Sequence, residues 1–332
     1  FVFIQIPNHS SISNSNMKQF LRKILIFTLI LFILATAFDI LLTSKAFRKR
    51  SSPLATWNDI FQKNIDADLL IMGSSRAYVQ FNPAVFDTIL HTNSYNLGIN
   101  GRSADSQILK YKVFRHQGNK KPKLILYEVS HTTMQVSNGY EQFQFLPYLH
   151  NLYLWKLCSK QEGFSFADCV LPSWRFLGQQ EFVKELLFAS ENGAYDTPLY
   201  KGFRGNNKKW DGSGLRQQET ISYGKDTAII CQFRDFLGEC RRDSIQVVLV
   251  TSPFYIEGTQ KMKDPSGMHN MFADLAADFD IPYLDYTYYE LSYDTTYFYN
   301  TMHLNTIGAD LFSKKLAQDL DSLGYAGVLS QE

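Results

Sequence analysis

Five short apolar runs mark the folded part of the chain and alternate with segments that have helical spacing. The runs are continuous, as expected for strands that are covered on both faces of a parallel sheet. The clearest is residues 245–251, which is rich in β-branched side chains and is followed by Pro253. Strands alternating with helices predict an α/β fold with helices on both faces of the sheet. The predicted strands are 68–72, 94–99, 123–129, 245–251 and 281–285.

The last helix is the best marked of the helical segments. Asn305 or Thr306 can cap its N-terminus, and Gly324 is placed to end it. An apolar stripe lies between them at helical spacing. The stripe consists of Phe312, Leu316, Leu320 and Leu323, and the other predicted helices lie at 103–114, 224–242 and 265–279.

The alternation is interrupted over about residues 135–222. This segment is rich in Tyr, Phe, Trp, Gly and Asn and has no alternating pattern that predicts a strand. It is too long for a simple loop, so it should have its own small core or a function. We expect an insertion of helices and loops over the carboxyl edge of the sheet, where α/β folds bind ligands.

An uninterrupted apolar run, residues 24–38, follows a basic segment that begins at Met17. We take Met17 as the expected biological start. One interpretation is a signal peptide, with cleavage after Ala37. The other is a membrane anchor that extends to Leu42, about 19 residues, just enough to span a bilayer. The apolar residues after Ala37 favour the anchor over the signal peptide. A buried core helix is disfavoured because the run is uninterrupted and has basic residues on its flanks.

Anchor and signal peptide both predict export, so we expect an extracytoplasmic protein held at the membrane. The charges flanking the run are nearly balanced and do not fix its orientation. The expected division of the chain is a tail at 1–23, an anchor or signal peptide at 24–42, a polar stalk at 43–66 and a folded α/β domain at 67–330 that contains the insertion at about 135–222.

Composition narrows the function classes. A net charge of +1 gives no electrostatic basis for binding nucleic acid. Aromatic residues make up 15% of the chain, which suits a large core and, as a second use, a sugar-binding cleft. The cysteines have no zinc-site spacing, so we expect no metal. Cys231 and Cys240 should lie on opposite helix faces, and Cys158 and Cys169 could form a disulfide or remain free.

Three short stretches carry candidate chemistry. Gly73 and two serines follow the first strand, and a glycine-containing loop with Gly101 follows the second. His303 precedes the last helix. In a parallel fold these positions all meet at the carboxyl edge of the sheet, where the histidine can act as general base to Ser75. Backbone N–H groups near the serine can hold an oxyanion.

In combination, these stretches resemble the SGNH (GDSL-like) hydrolase family. Gly73-Ser74-Ser75 matches the nucleophile block, with Ser75 at the nucleophile position, Gly101 matches the oxyanion glycine and His303 matches the base. The resemblance implies a three-layer, flavodoxin-like α/β fold with a parallel sheet. Four features resemble those of one subgroup: the Gly-Ser-Ser-Arg variant of the nucleophile block, the N-terminal anchor, the mid-chain insertion and the His-Leu-Asn ending. That subgroup includes the D-alanyl transfer protein of teichoic acid modification and acetyl-transfer proteins of exopolysaccharide export.

Two positions depart from the family pattern. Asn300 stands where the family has the triad aspartate, and Ser130 stands where it has an oxyanion asparagine. A neutral amide can orient an imidazole but stabilises its charged form poorly. His131 is a candidate substitute base, and Asp285 or Asp294 could supply the missing carboxylate.

The resemblance implies a serine esterase or O-acyltransferase that acts on acylated cell-envelope glycans through an acyl-serine. Ser75, His303 and Asn300 would be catalytic, and Ser75, Gly101 and Ser130 would hold the oxyanion. No metal or organic cofactor is implied. The expected partners are an acylated polysaccharide or sugar, the membrane and a membrane-bound acyltransferase. The alternative is a catalytically weak glycan-binding or accessory protein of a polysaccharide acylation system.

Overall fold

A five-stranded, fully parallel sheet forms the centre of the computed structural model, which describes residues 14–50, 53–136, 141–189, 199–213, 215 and 220–330. The strand order is β2-β1-β3-β4-β5, the doubly wound order expected for a flavodoxin-like fold. The strands are β1 (Leu69–Met72), β2 (Ser94–Asn96), β3 (Leu124–Glu128), β4 (Gln246–Thr251) and β5 (Tyr283–Asp285).

All five predicted strands are therefore present, with ends within a few residues of those expected. The register pairs Met72 with Tyr127 and Glu128 with Val250, so the strands end at a common edge. The segments that follow β1, β2 and β3 consequently emerge close together.

Helices cover both faces of this sheet, which confirms the predicted architecture. In chain order they are α1 (Asn14–Ala46), α2 (Pro53–Gln62), α3 (Ser75–Gln80), α4 (Pro83–Leu90), α5 (Ala104–His116), α6 (Leu152–Gln161), α7 (Phe166–Val170), α8 (Gln180–Phe188), α9 (Thr227–Arg242), α10 (Ile256–Thr259), α11 (Pro265–Phe279), α12 (Thr306–Ser322) and α13 (Tyr325–Ser330). Helix α12 is capped by the side chain of Asn305, one of the two caps that the sequence allows, and Thr306 is its first residue.

Alternate strand residues divide the core into two layers. Leu69 and Ile71 of β1 face a layer that α4 and α12 close, where Phe312 and Leu316 are fully buried. Residues Leu70 and Met72 face a second layer, formed with α5, α9 and α11. Both layers are apolar, which explains why the strand sequences are continuous apolar runs.

The N-terminal helix is long and largely exposed. Its segment Asn16–Ala46 has a mean hydropathy of 2.7 over its most apolar window and is apolar enough to cross a membrane, by length and composition. Its last turns differ from the sequence expectation of a stalk at 43–66. Leu42 and Ala46 are buried, and α2 packs Trp57 and Ile60 into the core. The amphipathic side of α2 is the physical reason, because its apolar residues need a partner surface.

The insertion is helical, as predicted, but most of it lies elsewhere than expected. A 3₁₀ segment, Gln142–Tyr148, packs on α1 and α2, while α6 packs on α5 and α8 packs on α1. Among the described residues of the insertion, Glu141 and the segment 199–213 contact the carboxyl edge: Glu141 Oε1 accepts a hydrogen bond of 3.1 Å from Asn100, and the Arg204 N–H donates to the carbonyl of Tyr78. The insertion packs on the second core layer because its buried side chains, such as Phe145 and Leu149, belong to the same apolar cluster as Leu70 and Met72.

Candidate active site

Ser75 is the first residue of α3, directly after the turn that leaves β1. Gly73 makes this turn with φ of +143°, and a Cβ there would lie 2.7 Å from the Cβ of Glu128 and 2.8 Å from that of Ala77. Only glycine fits this backbone conformation in this space. Ser74 caps the helix, so Ser75 is lifted above the sheet edge with its side chain partly exposed.

His303 faces this serine from the loop before α12. The Ser75 Oγ lies 2.8 Å from His303 Nε2, although 228 positions separate the two residues along the chain. The sequence prediction that these residues meet is therefore satisfied by the geometry. The Tyr299 ring is stacked on the imidazole, with 5.4 Å between ring centroids and an interplanar angle of 7°.

Asn300 fixes the orientation of the imidazole. Its Oδ1 accepts hydrogen bonds from the backbone N–H groups of Met302 and His303, both at 2.9 Å. Those donors identify the atom as the amide oxygen, which also lies 3.0 Å from His303 Nδ1. Nδ1 must therefore donate to it, which leaves Nε2 free to accept the Ser75 proton. Asn300 selects the tautomer a general base needs, without supplying a negative charge.

The electrostatics of the site keep the histidine neutral. Burial, with contributions from nearby Arg76 and His131, lowers the pKa of His303 to about 3. A carboxylate at position 300 would oppose this by favouring the imidazolium. His303 is thus available as a proton acceptor over a wide pH range, but it is a weak one.

A buried ion pair lies next to the turn that carries Ser75. Glu128 ends β3, and its Oε2 accepts a hydrogen bond of 3.0 Å from the Ser74 hydroxyl. Arg76 Nε lies 3.5 Å from Glu128 Oε1 and donates to Ser252 Oγ at 3.2 Å. Burial raises the pKa of Glu128, and Arg76 and Ser74 oppose that rise. The pair joins the loop after β1 to β3 and to the loop after β4.

The predicted oxyanion residues differ in how the structure places them. The Ile99 N–H donates to the Gly73 carbonyl at 3.0 Å, which brings the exposed turn at Gly101 beside the nucleophile loop. Ser130 is buried, its N–H donates to Thr133 Oγ1, and its hydroxyl lies 3.4 Å from Thr132 Oγ1. The hydroxyl of Ser130 also helps to lower the pKa of Glu128, so it serves that carboxylate.

The other candidate groups lie apart from the His303 ring nitrogens. Asp285 pairs with His269 Nδ1 at 2.9 Å, and exposed Asp294 caps a 3₁₀ turn through Thr296. Neither supplies the missing carboxylate, because Asn300 occupies the Nδ1 side. His131 is buried against the ring of Phe254, and burial lowers its pKa to about 4.

Sequence reasoning missed Glu128 and Arg76. A signal for the first was present, because a lone glutamate ends an otherwise apolar strand that is buried on both faces. Arg76 directly follows Ser75, and only the fold shows that its guanidinium turns into the core. Among the described residues, no three His, Cys, Asp or Glu side chains form a group that could hold a metal ion, and all four cysteines are free.

Comparisons with known proteins give limited similarity. No family model and no curated protein matches the chain. Among solved structures, it is similar to a "putative acylhydrolase" of Bacteroides fragilis, with 14% identity and a TM-score of 0.39 over 80% of this chain and 96% of the other. It is also similar to a GDSL-like lipase of Bacteroides thetaiotaomicron, with 13% identity and a TM-score of 0.34 over 77% and 88%. Alignments at this level do not assign a function.

Proposed function

We propose that this chain is a serine esterase or O-acyltransferase of the SGNH type. Its support is one observation: the Ser75 hydroxyl lies 2.8 Å from a histidine nitrogen whose opposite ring nitrogen is bound to an amide oxygen. That arrangement is a base-activated nucleophile with a fixed tautomer.

The proposed reaction begins with proton transfer from Ser75 Oγ to His303 Nε2. The oxygen forms a bond to an ester carbonyl carbon, and the carbonyl electron pair moves onto its oxygen. Collapse of this intermediate breaks the bond to the alkoxide, which takes the proton from Nε2. An acyl-serine remains, and water or a sugar hydroxyl attacks it by the same route in reverse.

The developing oxyanion needs donors that are already in place. We propose the backbone N–H of Ser75, which as the first helical residue lacks an acceptor within α3, and that of Gly101. We propose only a supporting role for Ser130, since its hydroxyl lies with Glu128 and Thr132. Removal of one oxyanion donor typically costs about 100- to 1,000-fold in rate.

We further propose that the substrate is an acylated glycan of the cell envelope. The apolar helix α1 supports a membrane-anchored enzyme. At the site itself, the partly exposed ring of Tyr299 is stacked on the His303 imidazole, and an aromatic ring in this position suits contact with a sugar ring. A membrane-bound acyltransferase would be the natural donor if the acyl group passes to a sugar hydroxyl.

Labelling of the purified full chain with a fluorophosphonate tests the nucleophile. We expect labelling that is abolished in Ser75→Ala and strongly reduced in His303→Ala. Ser74→Ala is the matched control, because the neighbouring hydroxyl is bound to Glu128 and should not be the labelled group. Labelling that persists in Ser75→Ala would contradict the assignment. Release of acetate from an acetylated glycan, with and without an acceptor sugar, then separates hydrolysis from transfer.

The neutral Asn300 favours a second candidate, a catalytically weak glycan-binding or accessory protein. The low pKa of His303 agrees with it, since a weak base accepts the serine proton poorly. Folded wild-type chain that neither reacts with the fluorophosphonate nor hydrolyses a simple acetate ester, yet binds an envelope glycan, would favour this candidate.

A further inference from the structure

The last turns of α1 are bound from the side by the insertion. Ser173 Oγ donates to the Ala35 carbonyl at 2.7 Å, and the Ser173 N–H donates to Asp39 Oδ2 at 2.6 Å. Arg175 Nη2 donates to Asp39 Oδ1 at 2.8 Å and to Thr43 Oγ1 at 2.9 Å. The helix from Ala35 onward is therefore a fixed part of the folded domain.

The height of these contacts along α1 follows from helix geometry. A helix rises about 1.5 Å per residue, so a hydrocarbon core of about 30 Å takes about 20 residues. If the basic pair before Ile24 marks one boundary, the other falls near Thr43. Ala35 then lies about 12 Å, and Asp39 about 6 Å, inside the far edge. If the hydrocarbon core begins at Phe20 instead, Asp39 lies at its far edge and Ala35 lies about 6 Å inside that edge.

The buried ion pair fits this depth. A carboxylate at the margin of a bilayer is costly unless a partner meets it within the protein. Asp39 has that partner in Arg175, whose side chain is fully buried. Beyond this level Arg48 and Arg50 are exposed, where cationic side chains would lie among lipid headgroups.

Apolar side chains are exposed at the same height on the insertion. Val170 is 47% exposed, Leu171 42%, Trp174 47% and Leu177 64%, and together they flank Ser173. We call these four residues the apolar rim. Such a cluster is unusual on a surface that faces water. Pro172, within the same segment, lines a surface cavity together with the exposed Ile40 of α1, so the rim lies beside the apolar surface of that helix.

We propose that the apolar rim lies in the boundary between headgroups and acyl chains of the bilayer that α1 spans. The domain is then held against the membrane at a fixed height and orientation. The site therefore stays at a constant distance from the bilayer, and the substrate must reach it there. This inference rests on the membrane anchorage in the proposed function. Trp174 supports it chemically, because tryptophan side chains are enriched at this depth.

Tryptophan quenching in vesicles tests the proposal with the full chain. The chain is reconstituted in phosphatidylcholine that carries bromine on the acyl chains near the headgroup. We expect the bromine atoms to quench part of the tryptophan emission of the wild-type chain. In Trp174→Phe we expect the quenched component of the emission to be absent. Trp210→Phe is the matched control, since Trp210 is buried against Tyr255 and should leave the quenched part unchanged.

Two different failures can be told apart. If the chain is stripped from vesicles by alkaline carbonate, the anchorage itself is wrong. If it remains but Trp174→Phe leaves the quenching unchanged, the rim faces water and is free for a protein partner, which overturns this inference. A nitroxide at Leu177→Cys, in a Cys231→Ser background, gives a second reading. Oxygen concentrates in the bilayer, whereas a water-soluble nickel complex remains in the aqueous phase. If oxygen relaxes the nitroxide more strongly than the nickel complex does, the proposal is supported, and the reverse result overturns it.

Discussion

Replacement of Asn300 by aspartate should strengthen the base. The new carboxylate would accept the same backbone N–H groups, at 2.9 Å, and the same Nδ1–H, at 3.0 Å, so the imidazole keeps its tautomer. Only the charge changes. Two opposite charges about 4 Å apart interact by about 4 kcal/mol at an effective dielectric of 20.

The gain in rate should be smaller than this. The transition state carries only part of the imidazolium charge, and the carboxylate loses hydration when it is placed beside His303. We expect about 1.4–2.7 kcal/mol, or about a 10- to 100-fold faster reaction. The second-order rate constant of fluorophosphonate labelling measures it, because that step needs the activated serine and no glycan substrate.

The pH dependence gives an independent signature. A base acts when it is unprotonated, and the pKa of His303 is lowered to about 3, so wild-type labelling should be nearly flat between about pH 5 and pH 8. In Asn300→Asp the negative charge raises that pKa, so the acidic limb should move toward neutral pH. Asn64→Asp adds the same charge at an exposed position before β1, at the opposite edge of the sheet, and should change neither the rate nor the pH profile. A folded Asn300→Asp chain with unchanged rate and unchanged profile would refute the assignment of His303 as the base.

Three further predictions concern the turn at Gly73, the Asp39–Arg175 ion pair and buried Lys110. Gly73→Ala should abolish labelling and lower stability by about 1–3 kcal/mol, measured by thermal unfolding in detergent, because its Cβ would clash with Glu128. Arg175→Met should cost about 3–5 kcal/mol, because buried Asp39 loses the guanidinium that balances its charge even though the Ser173 N–H still donates to it, and Asp39→Asn in the same chain should recover most of that cost. Burial lowers the pKa of Lys110 to about 7 in the folded chain, whereas an exposed lysine has a pKa of about 10.5. The unfolded chain therefore binds a proton that the folded chain does not, and stability falls as the pH drops from about 10.5 toward 7. Lys110→Met removes this cost, so it should raise the unfolding midpoint at pH 6 and change it little at pH 10.

The sheet and the approach of Ser75 to His303 could be predicted because both depend on local signals. Continuous apolar runs mark strands that are covered on both faces, and parallel strands bring the loops after them to one edge. Ser75 after the first strand and His303 before the last helix therefore had to approach each other. The cap at Asn305 fixed the start of α12 in the same way, through a side chain that bonds its own helix.

The contacts of the N-terminal segment could not be predicted in this way. The polarity of residues 43–66 indicates a stalk when read alone, yet α2 is amphipathic and its buried face needs the second core layer. Likewise Asp39 looks like an interruption of the apolar run until the fold brings Arg175 to it from 136 residues away. Pairing between distant polar residues leaves no periodic signal in a sequence.

The orientation of one amide decides how the site should be viewed. From the sequence, Asn300 is simply a lost carboxylate, which implies a damaged triad. In the structure two backbone N–H groups hold its oxygen toward the imidazole, so the tautomer is preserved and only the charge is missing. A misdirected amide would have presented its NH₂ group and removed the base altogether. Loss of charge slows a serine hydrolase, whereas loss of the tautomer disables it, and this geometry therefore favours a slow enzyme over an inactive relative.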